Sequence, residues 1–375
     1  MRILILGGTG AIGSELVRIL SAEVNLVDVT TRSDKALKIC NVRYLLGDAH
    51  DITFLRTILK SGYDTIVDFM AYTTAEFTKH YKLLLQSTEQ YIFLSTARVF
   101  ADQNENRIKE ESNKLFDVCI DEEYLKTDEY ALAKTRQEKL LKEYPRKNWT
   151  IVRPYITYNN ERLQLGAFEK ELWLYRALCG KTIVFSDDLA FKVTTLTHGV
   201  DVAFTISKMV GNYTTLGEDY NVIGNESITW RTILSAYIDI IESETGNRPN
   251  IIYEEKSTEQ TKVIGNEYQI KYDRIYNRKF DNSKIFVLLG SDYLFQNIEY
   301  GVKDCLKNFI NNNKNFKYIN WKWEAYADRV SKEHTRLTSI PSHKSKCVYF
   351  LWRYFPILGK LKNTILGHLK AGELI

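Results

Sequence analysis

The feature that most constrains this chain is a short apolar run that breaks into glycines. Ile3-Leu4-Ile5-Leu6 leads directly into Gly7-Gly8-Thr9-Gly10-Ala11-Ile12-Gly13, and an amphipathic stretch opens at Ser14. Four apolar residues are too few for a secretory h-region and read as a first β-strand. A strand that turns into a helix through glycines spaced three apart is the start of a strand-helix-strand unit. Glycine permits the tight turn, lets a ligand approach the backbone, and leaves the helix N-terminal N–H groups free to meet an anion. A purely structural turn is the competing reading of the same residues.

The pattern that follows agrees with a parallel α/β sheet. Continuous apolar runs at Ile3–Leu6, Val24–Thr30, Val42–Leu46, Thr65–Phe69, Tyr91–Ser95 and Thr150–Arg153 lack polar alternation, as strands covered on both faces do. Helical stretches at Ser14–Leu20, Asp51–Lys60, Thr78–Leu85 and Glu129–Tyr144 separate them. After Pro154 the pattern turns irregular, with helices expected near Ala167–Leu178 and Thr229–Ser243. Only 5 prolines in 375 residues allow long uninterrupted elements, and the length fits two domains.

Charge is unevenly placed. The formal net charge is +4, but from Ser331 onward eight Lys or Arg face two acids, leaving 43 basic and 45 acidic residues before it. A near-neutral body offers no broad basic face, which argues against nucleic acid as a partner. Five cysteines, Cys40, Cys119, Cys179, Cys305 and Cys347, form no C-x-x-C pair. That pattern suits a reducing, cytoplasmic compartment and gives no zinc site, so no metal is expected.

In this setting Gly7, Thr9, Gly10, Ala11, Ile12 and Gly13 are candidates to hold the pyrophosphate of a dinucleotide. The end of the second strand discriminates NAD from NADP, because an acid there binds the ribose 2′-hydroxyl and a base accommodates a 2′-phosphate. Thr31-Arg32-Ser33 falls at that end without an acid, which favours NADP(H) and leaves NAD(H) as the alternative. Asp28 is a rival lying within the strand, and Arg32 also reads as a solvated loop arginine. Asp48 and Ala49 after the third strand, and Phe69-Met70-Ala71 after the fourth, would line the same cleft.

A second constellation carries proton chemistry. The fifth strand ends in Ser95-Thr96, and Tyr130-Ala131-Leu132-Ala133-Lys134 follows at a helix start. The i,i+4 spacing puts phenol and ammonium on one helix face. A tyrosine accepts an alcohol proton near neutrality only if a cation stabilises its phenolate, a role open to Lys134 or an oxidised nicotinamide ring. Thr96 would hydrogen-bond the same oxygen. The bare spacing is weak evidence, and its placement after the strand-five Ser-Thr carries the weight.

Together these residues resemble the extended short-chain dehydrogenase/reductase family of nucleotide-sugar epimerases, dehydratases and reductases, over roughly residues 1 to 310. Further matches are Arg153-Pro154 before Tyr158, Thr197-His198-Gly199-Val200-Asp201, Tyr220-Asn221-Val222 and Asp281-Asn282-Ser283-Lys284. The resemblance implies a Rossmann-type doubly wound parallel sheet, residues 1–155 plus about 193–225, with a smaller mixed α/β substrate lobe, 156–192 plus about 226–330. It implies Thr96, Tyr130 and Lys134 as catalytic, with Ser95, Tyr130, Lys134 and Tyr155 near the cofactor. Family 4,6-dehydratases carry acids after the catalytic Thr; here Ala97-Arg98 follows, which disfavours that subclass. A 4-epimerase in surface polysaccharide or glycoconjugate precursor synthesis, or an NADPH-dependent ketoreductase, remains. A non-catalytic, cofactor-binding regulatory protein is the reading from another class.

For the diphosphate of a nucleotide-sugar substrate, Arg98, Arg162, Arg176 and Lys192 are candidates; Arg231 and Arg278 are two further cations of the second-lobe sequence. His198 reads as structural. Residues 331–375 form a basic, aromatic-rich, helical C-terminal extension outside the family pattern. No run there reaches the roughly 18 apolar residues that span a bilayer. Two readings stand: the aromatics of 345–370 pack on the body or on the partner of a homodimer, or they make peripheral contact with the inner membrane surface.

Overall fold

Seven short strands form one sheet in which every neighbouring pair is parallel: β1 (Arg2–Leu6), β2 (Leu26–Thr31), β3 (Val42–Leu46), β4 (Tyr63–Asp68), β5 (Thr88–Leu94), β6 (Trp149–Arg153) and β7 (Glu218–Asn221). Their order is β3-β2-β1-β4-β5-β6-β7. The structure is a computed structural model that describes residues 1–356 except 24, 34–38, 105, 313 and 314. The strand order reverses between β1 and β4, and crevices for ligands open at the carboxyl ends there.

Strand β1 shows why the sheet needs cover on both sides. Ile3 and Ile5 enter one core with Leu16, Val17 and Leu20 of helix α1 (Ala11–Ser21). Leu4 and Leu6 enter the other, with Leu55 of α2 (Ile52–Leu59) and Phe77 and Leu84 of α3 (Thr74–Gln86). Alternate residues point to opposite faces, so a continuous apolar run buries completely. Helix α4 (Tyr130–Lys142) adds Leu141 to the second core, and α5 (Gly199–Met209) adds Val202 and Ile206 to the first.

Helix α3 starts four residues before its expected Thr78. A capping box at Thr73 and Glu76 satisfies the first backbone N–H groups, and Phe77 of that added turn is wholly buried. Strand β4 likewise starts at Tyr63, whose hydroxyl is fastened to Asp28.

The chain divides into two units: 1–162, 193–228 and 276–305 make the first, and 163–192, 229–275 and 306–375 the second. These bounds differ from the sequence expectation at three places. Residues 156–162 stay with the sheet because Ile156–Tyr158 pairs in parallel with Leu196–His198. Residues from 276 return to it through Arg278 N–H to Val193 O at 2.8 Å and Ile108 N–H to Lys279 O at 2.9 Å. The C-terminal extension, to the end of the described residues, belongs to the second unit. There α6 (Trp321–Ser331) packs against α7 (His343–Tyr354), with Tyr349 donating to Asp328 at 2.7 Å and Arg329 to Trp352 O at 3.1 Å. The second unit also pairs Ile183–Ser186 with Ile251–Glu254 and stacks Trp173 on Tyr237 at 4.5 Å. Among the described residues no helix is long and apolar enough to cross a membrane.

Candidate cofactor and catalytic site

The glycines of the first loop do three different jobs. Gly7 has a φ of 71°, a conformation that favours glycine, and its N–H donates to Thr30 Oγ1 at 3.0 Å. Gly13 lets α1 lie on the turn: a Cβ there would meet Gly8 Cα at 2.7 Å. Gly10 has no steric reason to be glycine, since a Cβ would find nothing within 4 Å. It is the N-cap of α1 and supplies no side-chain cap, so the helix presents bare N–H groups beside open space. That cradle fits a pyrophosphate.

A cleft of about 300 Å³ opens on this loop. Its lining includes Gly7, Thr9, Gly10, Thr31, Arg32, Asp48, Ala49, Phe69, Met70 and Ala71, ten residues named from the sequence. Ala11, Ile12 and Gly13 form the first turn of α1, with Ile12 and Gly13 buried beneath it. Ser33 lies beyond the lining, its N–H donating to Thr31 Oγ1 at 3.3 Å. Thr30, Gly47 and His50 also line the cleft and were missed. His50 arrives through a local turn in which its N–H donates to Asp48 Oδ1 at 3.0 Å, and a Gly-Asp pair at a strand end is the signal that could have found it.

Asp28 is removed as a ribose ligand. Its carboxylate accepts two bonds from Arg43 at 2.8 and 2.6 Å, one from Tyr63 at 2.7 Å and one from Arg2 at 3.3 Å. Burial pushes this carboxyl up, but Arg43 and Tyr63 outweigh it and hold it below its usual range.

Beyond β5 the chain makes a single tight turn, Ala97–Val99, packed against α4. Thr96 precedes it, buried, and its Oγ1 accepts the Arg98 N–H at 3.3 Å. Lys134, 2% exposed, donates to Leu94 O at 2.8 Å and Met70 O at 3.1 Å, tying together the ends of β5 and β4 beside the cleft. Burial lowers its pKa to about 8, with Asp68 and Glu138 opposing. Tyr130 opens α4 and is 41% exposed. Desolvation pushes its phenol up, and Arg98 and Arg162 pull it down. The same Tyr-x-x-x-Lys spacing recurs at Tyr318 and Lys322, in the unit that lacks the sheet.

Several expected contacts change. Ser95 turns away from the cleft and donates to Glu138, which Arg153 grips at 2.8 and 2.7 Å in the core, so its hydroxyl supports the sheet and not a cofactor. Tyr155 is buried against Phe280, ring centroids 5.1 Å apart; like Thr96, Tyr130 and Lys134 it lies outside the cleft lining. Arg176 drops out of the substrate set: it is fully buried, bonded at 2.9 Å to each of Glu324, Asp328 and Glu333. Lys192 is half-buried in the second unit, and Arg231 lies over Phe191 and Tyr253 there. Arg162 and Arg278 belong to the first unit, where Arg278 is buried and donates to Ala101 O at 3.0 Å. His198 caps α5 by accepting the Val200 N–H at 3.2 Å, a structural role. Among the described residues no cluster of three or more His, Cys, Asp or Glu is arranged to hold a metal ion.

A seven-stranded parallel sheet with a glycine loop at its switch point defines a Rossmann-like nucleotide-binding protein. The sequence pattern of the NAD dependent epimerase/dehydratase family matches residues 3–222, more than half of the chain, and the protein belongs to that family. A curated relative is the chloroplast stem-loop binding protein of 41 kDa b of Arabidopsis thaliana, 26% identical over 250 residues. That match covers 63% of this chain and 62% of the length of the relative. Similar solved folds include an epimerase of Methanothermobacter thermautotrophicus, with a TM-score of 0.62, 16% identity, and 84% and 93% of the two chains covered. UDP-glucuronic acid 4-epimerase of Bacillus cereus, solved with UDP-glucuronic acid and NAD, has a TM-score of 0.60 at 17% identity, covering 82% of this chain and all of that one.

Proposed function

We propose that the protein is an NAD(P)-dependent epimerase acting on a nucleotide-activated sugar through a transient keto intermediate. The observation that carries this is Lys134, buried and spanning the ends of β4 and β5 from the same helix turn that presents Tyr130. When bound, the nicotinamide supplies reversible hydride acceptance. The chain's own residues do the rest: the α1 N-terminus and Gly10 hold the pyrophosphate, Thr96 orients the sugar hydroxyl, and Tyr130 takes and returns its proton. Asp28 being engaged elsewhere, with Arg32 at the cleft wall, supports NADP(H) over NAD(H). The solved relative bound to NAD keeps NAD(H) as the alternative.

Incubation with UDP-sugars while absorbance is followed at 340 nm tests this. Product without net cofactor change supports the epimerase. Stoichiometric loss of NADPH refutes it in favour of the ketoreductase. The plant relative, by name a stem-loop binding protein, supplies a second reading, in which this chain binds a nucleic-acid hairpin and does not turn over a sugar. The near-neutral charge of residues 1–330 speaks against it, and salt-dependent binding of a hairpin RNA together with no turnover would establish it. A cytoplasmic homodimer with peripheral membrane contact through 345–370 completes the proposal. Phe350, Tyr354 and Phe355 are exposed beside the basic Lys346 and Arg353, which supports the contact. Liposome sedimentation of the chain cut after residue 356 against the full chain tests the part beyond it.

A further inference from the structure

Tyr130 and Lys134 share a helix face by spacing, yet the structure directs the ammonium to two backbone carbonyls, Leu94 O and Met70 O. Another cation lies against the phenol. The guanidinium carbon of Arg98 stands 5.7 Å from the Tyr130 ring centroid, and the Arg98 side chain is only 12% exposed. Arg98 is held there by Glu129, which takes a 2.6 Å bond from its Nη2. Glu129 is itself fixed: it is the N-cap of α4, accepting the Ala131 N–H at 2.8 Å and the Tyr124 hydroxyl at 3.0 Å. The backbone N–H of Arg98 meanwhile donates to Thr96 Oγ1. One residue therefore touches both groups assigned to the substrate hydroxyl, through its backbone on one side and its guanidinium on the other.

We propose that Arg98, clamped by Glu129, is a positioning residue that makes the Tyr130 phenol more acidic and orients the Thr96 hydroxyl. The proposal rests on the reading of Tyr130 as the proton-transfer group. The charged groups that face the phenol are Arg98 from the turn after β5, Arg162 from the segment after β6, and Glu129 from its own helix. Two cations favour phenolate and one carboxylate opposes it. Arg98 lies over the ring itself, its guanidinium carbon 5.7 Å from the centroid. A planar fork suits both the ring face and the carboxylate, which a lysine would serve less well.

The test uses the full chain labelled with 13Cζ-tyrosine. Its Tyr130 signal is assigned by loss in Tyr130→Phe, and its ionisation is followed by NMR against pH without substrate. Arg98→Met is expected to move this ionisation upward and Arg98→Lys to restore part of the shift. In turnover, Arg98→Met should carry the acidic limb of the kcat/KM profile the same way, with an about tenfold or greater loss at neutral pH. An unmoved Tyr130 ionisation in Arg98→Met overturns the proposal, as does a downward shift. Should that variant fail to fold, Arg98→Gln takes its place, and an unmoved or lowered ionisation refutes the proposal. The NMR arm needs no substrate, so a protein that titrates as expected but turns over no nucleotide sugar refutes the function and leaves the role of Arg98 standing.

Discussion

Replacing Gly10 and Gly13 by alanine, one at a time, separates what the loop does for the fold from what it does for a ligand. A Cβ on Gly13 would lie 2.7 Å from Gly8 Cα and 2.8 Å from Gly8 C and O, all backbone atoms that cannot rotate away. Helix α1 must therefore shift off the turn, and overpacking of this kind costs about 1–3 kcal/mol. With a urea slope of roughly 3 kcal/mol/M, the unfolding midpoint of Gly13→Ala falls by about 0.3–1 M. Gly10 has a φ of −81° and ψ of −178°, which alanine adopts freely, and its Cβ would meet nothing. Gly10→Ala should therefore leave stability unchanged or raise it by about 0.4–1 kcal/mol through the unfolded chain. The same methyl projects into the space where a pyrophosphate must approach the α1 N–H groups. Tenfold weaker NADP(H) binding, about 1.4 kcal/mol, is the least effect expected by isothermal calorimetry. The reasoning is refuted if Gly10→Ala binds the dinucleotide as wild type does, or if it loses as much stability as Gly13→Ala.

Tyr130→Phe should lower kcat by about 10²–10⁴ while NADP(H) affinity holds, because the proton acceptor is lost and the cleft lining is untouched. Asp28→Asn removes a charge bonded to Arg43, Arg2 and Tyr63, so chemical denaturation should show a loss of about 1–3 kcal/mol with cofactor affinity unchanged; a loss of affinity would return Asp28 to the ribose. Burial pushes the carboxyls of Asp28, Asp219 and Asp328 up, but their hydrogen-bonded cations outweigh it and hold all three below the usual aspartate value in the fold, Asp328 at about 2. Their stabilisation is present above the unfolded value and is lost as pH falls through the folded ones, so their contribution to the melting temperature should fall from about pH 4 downward. Truncation at residue 330 deletes Glu333, Thr335 and Tyr349 from the Arg176, Lys181 and Asp328 cluster, whereas truncation after 356 spares them. The shorter chain should unfold the second unit at lower urea than the longer one, and equal midpoints would contradict the assignment of the extension to that unit.

What could be read along the chain was what repeats locally. The unbroken apolar runs specify buried strands, the three-residue glycine spacing specifies the turn into α1, and the i,i+4 pair places Tyr130 and Lys134 on one face; each signal lies within a few residues. The starts of α3 and β4 were missed by a few residues, because the Thr73 capping box and the Tyr63 anchor lie outside the apolar pattern.

Partner choice belonged to the tertiary structure. Asp28 looked available to a ribose until Arg43, 15 residues on, and Tyr63, 35 residues on, claimed it. Ser95 looked like a cleft residue until Glu138, 43 residues on, took its hydroxyl inward. Arg176 looked like a diphosphate ligand, yet its carboxylates arrive 148 to 157 residues later. Lys134 shows both sides at once: its place on the helix follows from spacing, but its bonds to Met70 O and Leu94 O depend on how β4 and β5 lie against α4. Backbone periodicity is a local property that sequence carries by itself, whereas a buried charge takes whichever opposite charge or carbonyl the fold brings within hydrogen-bonding reach.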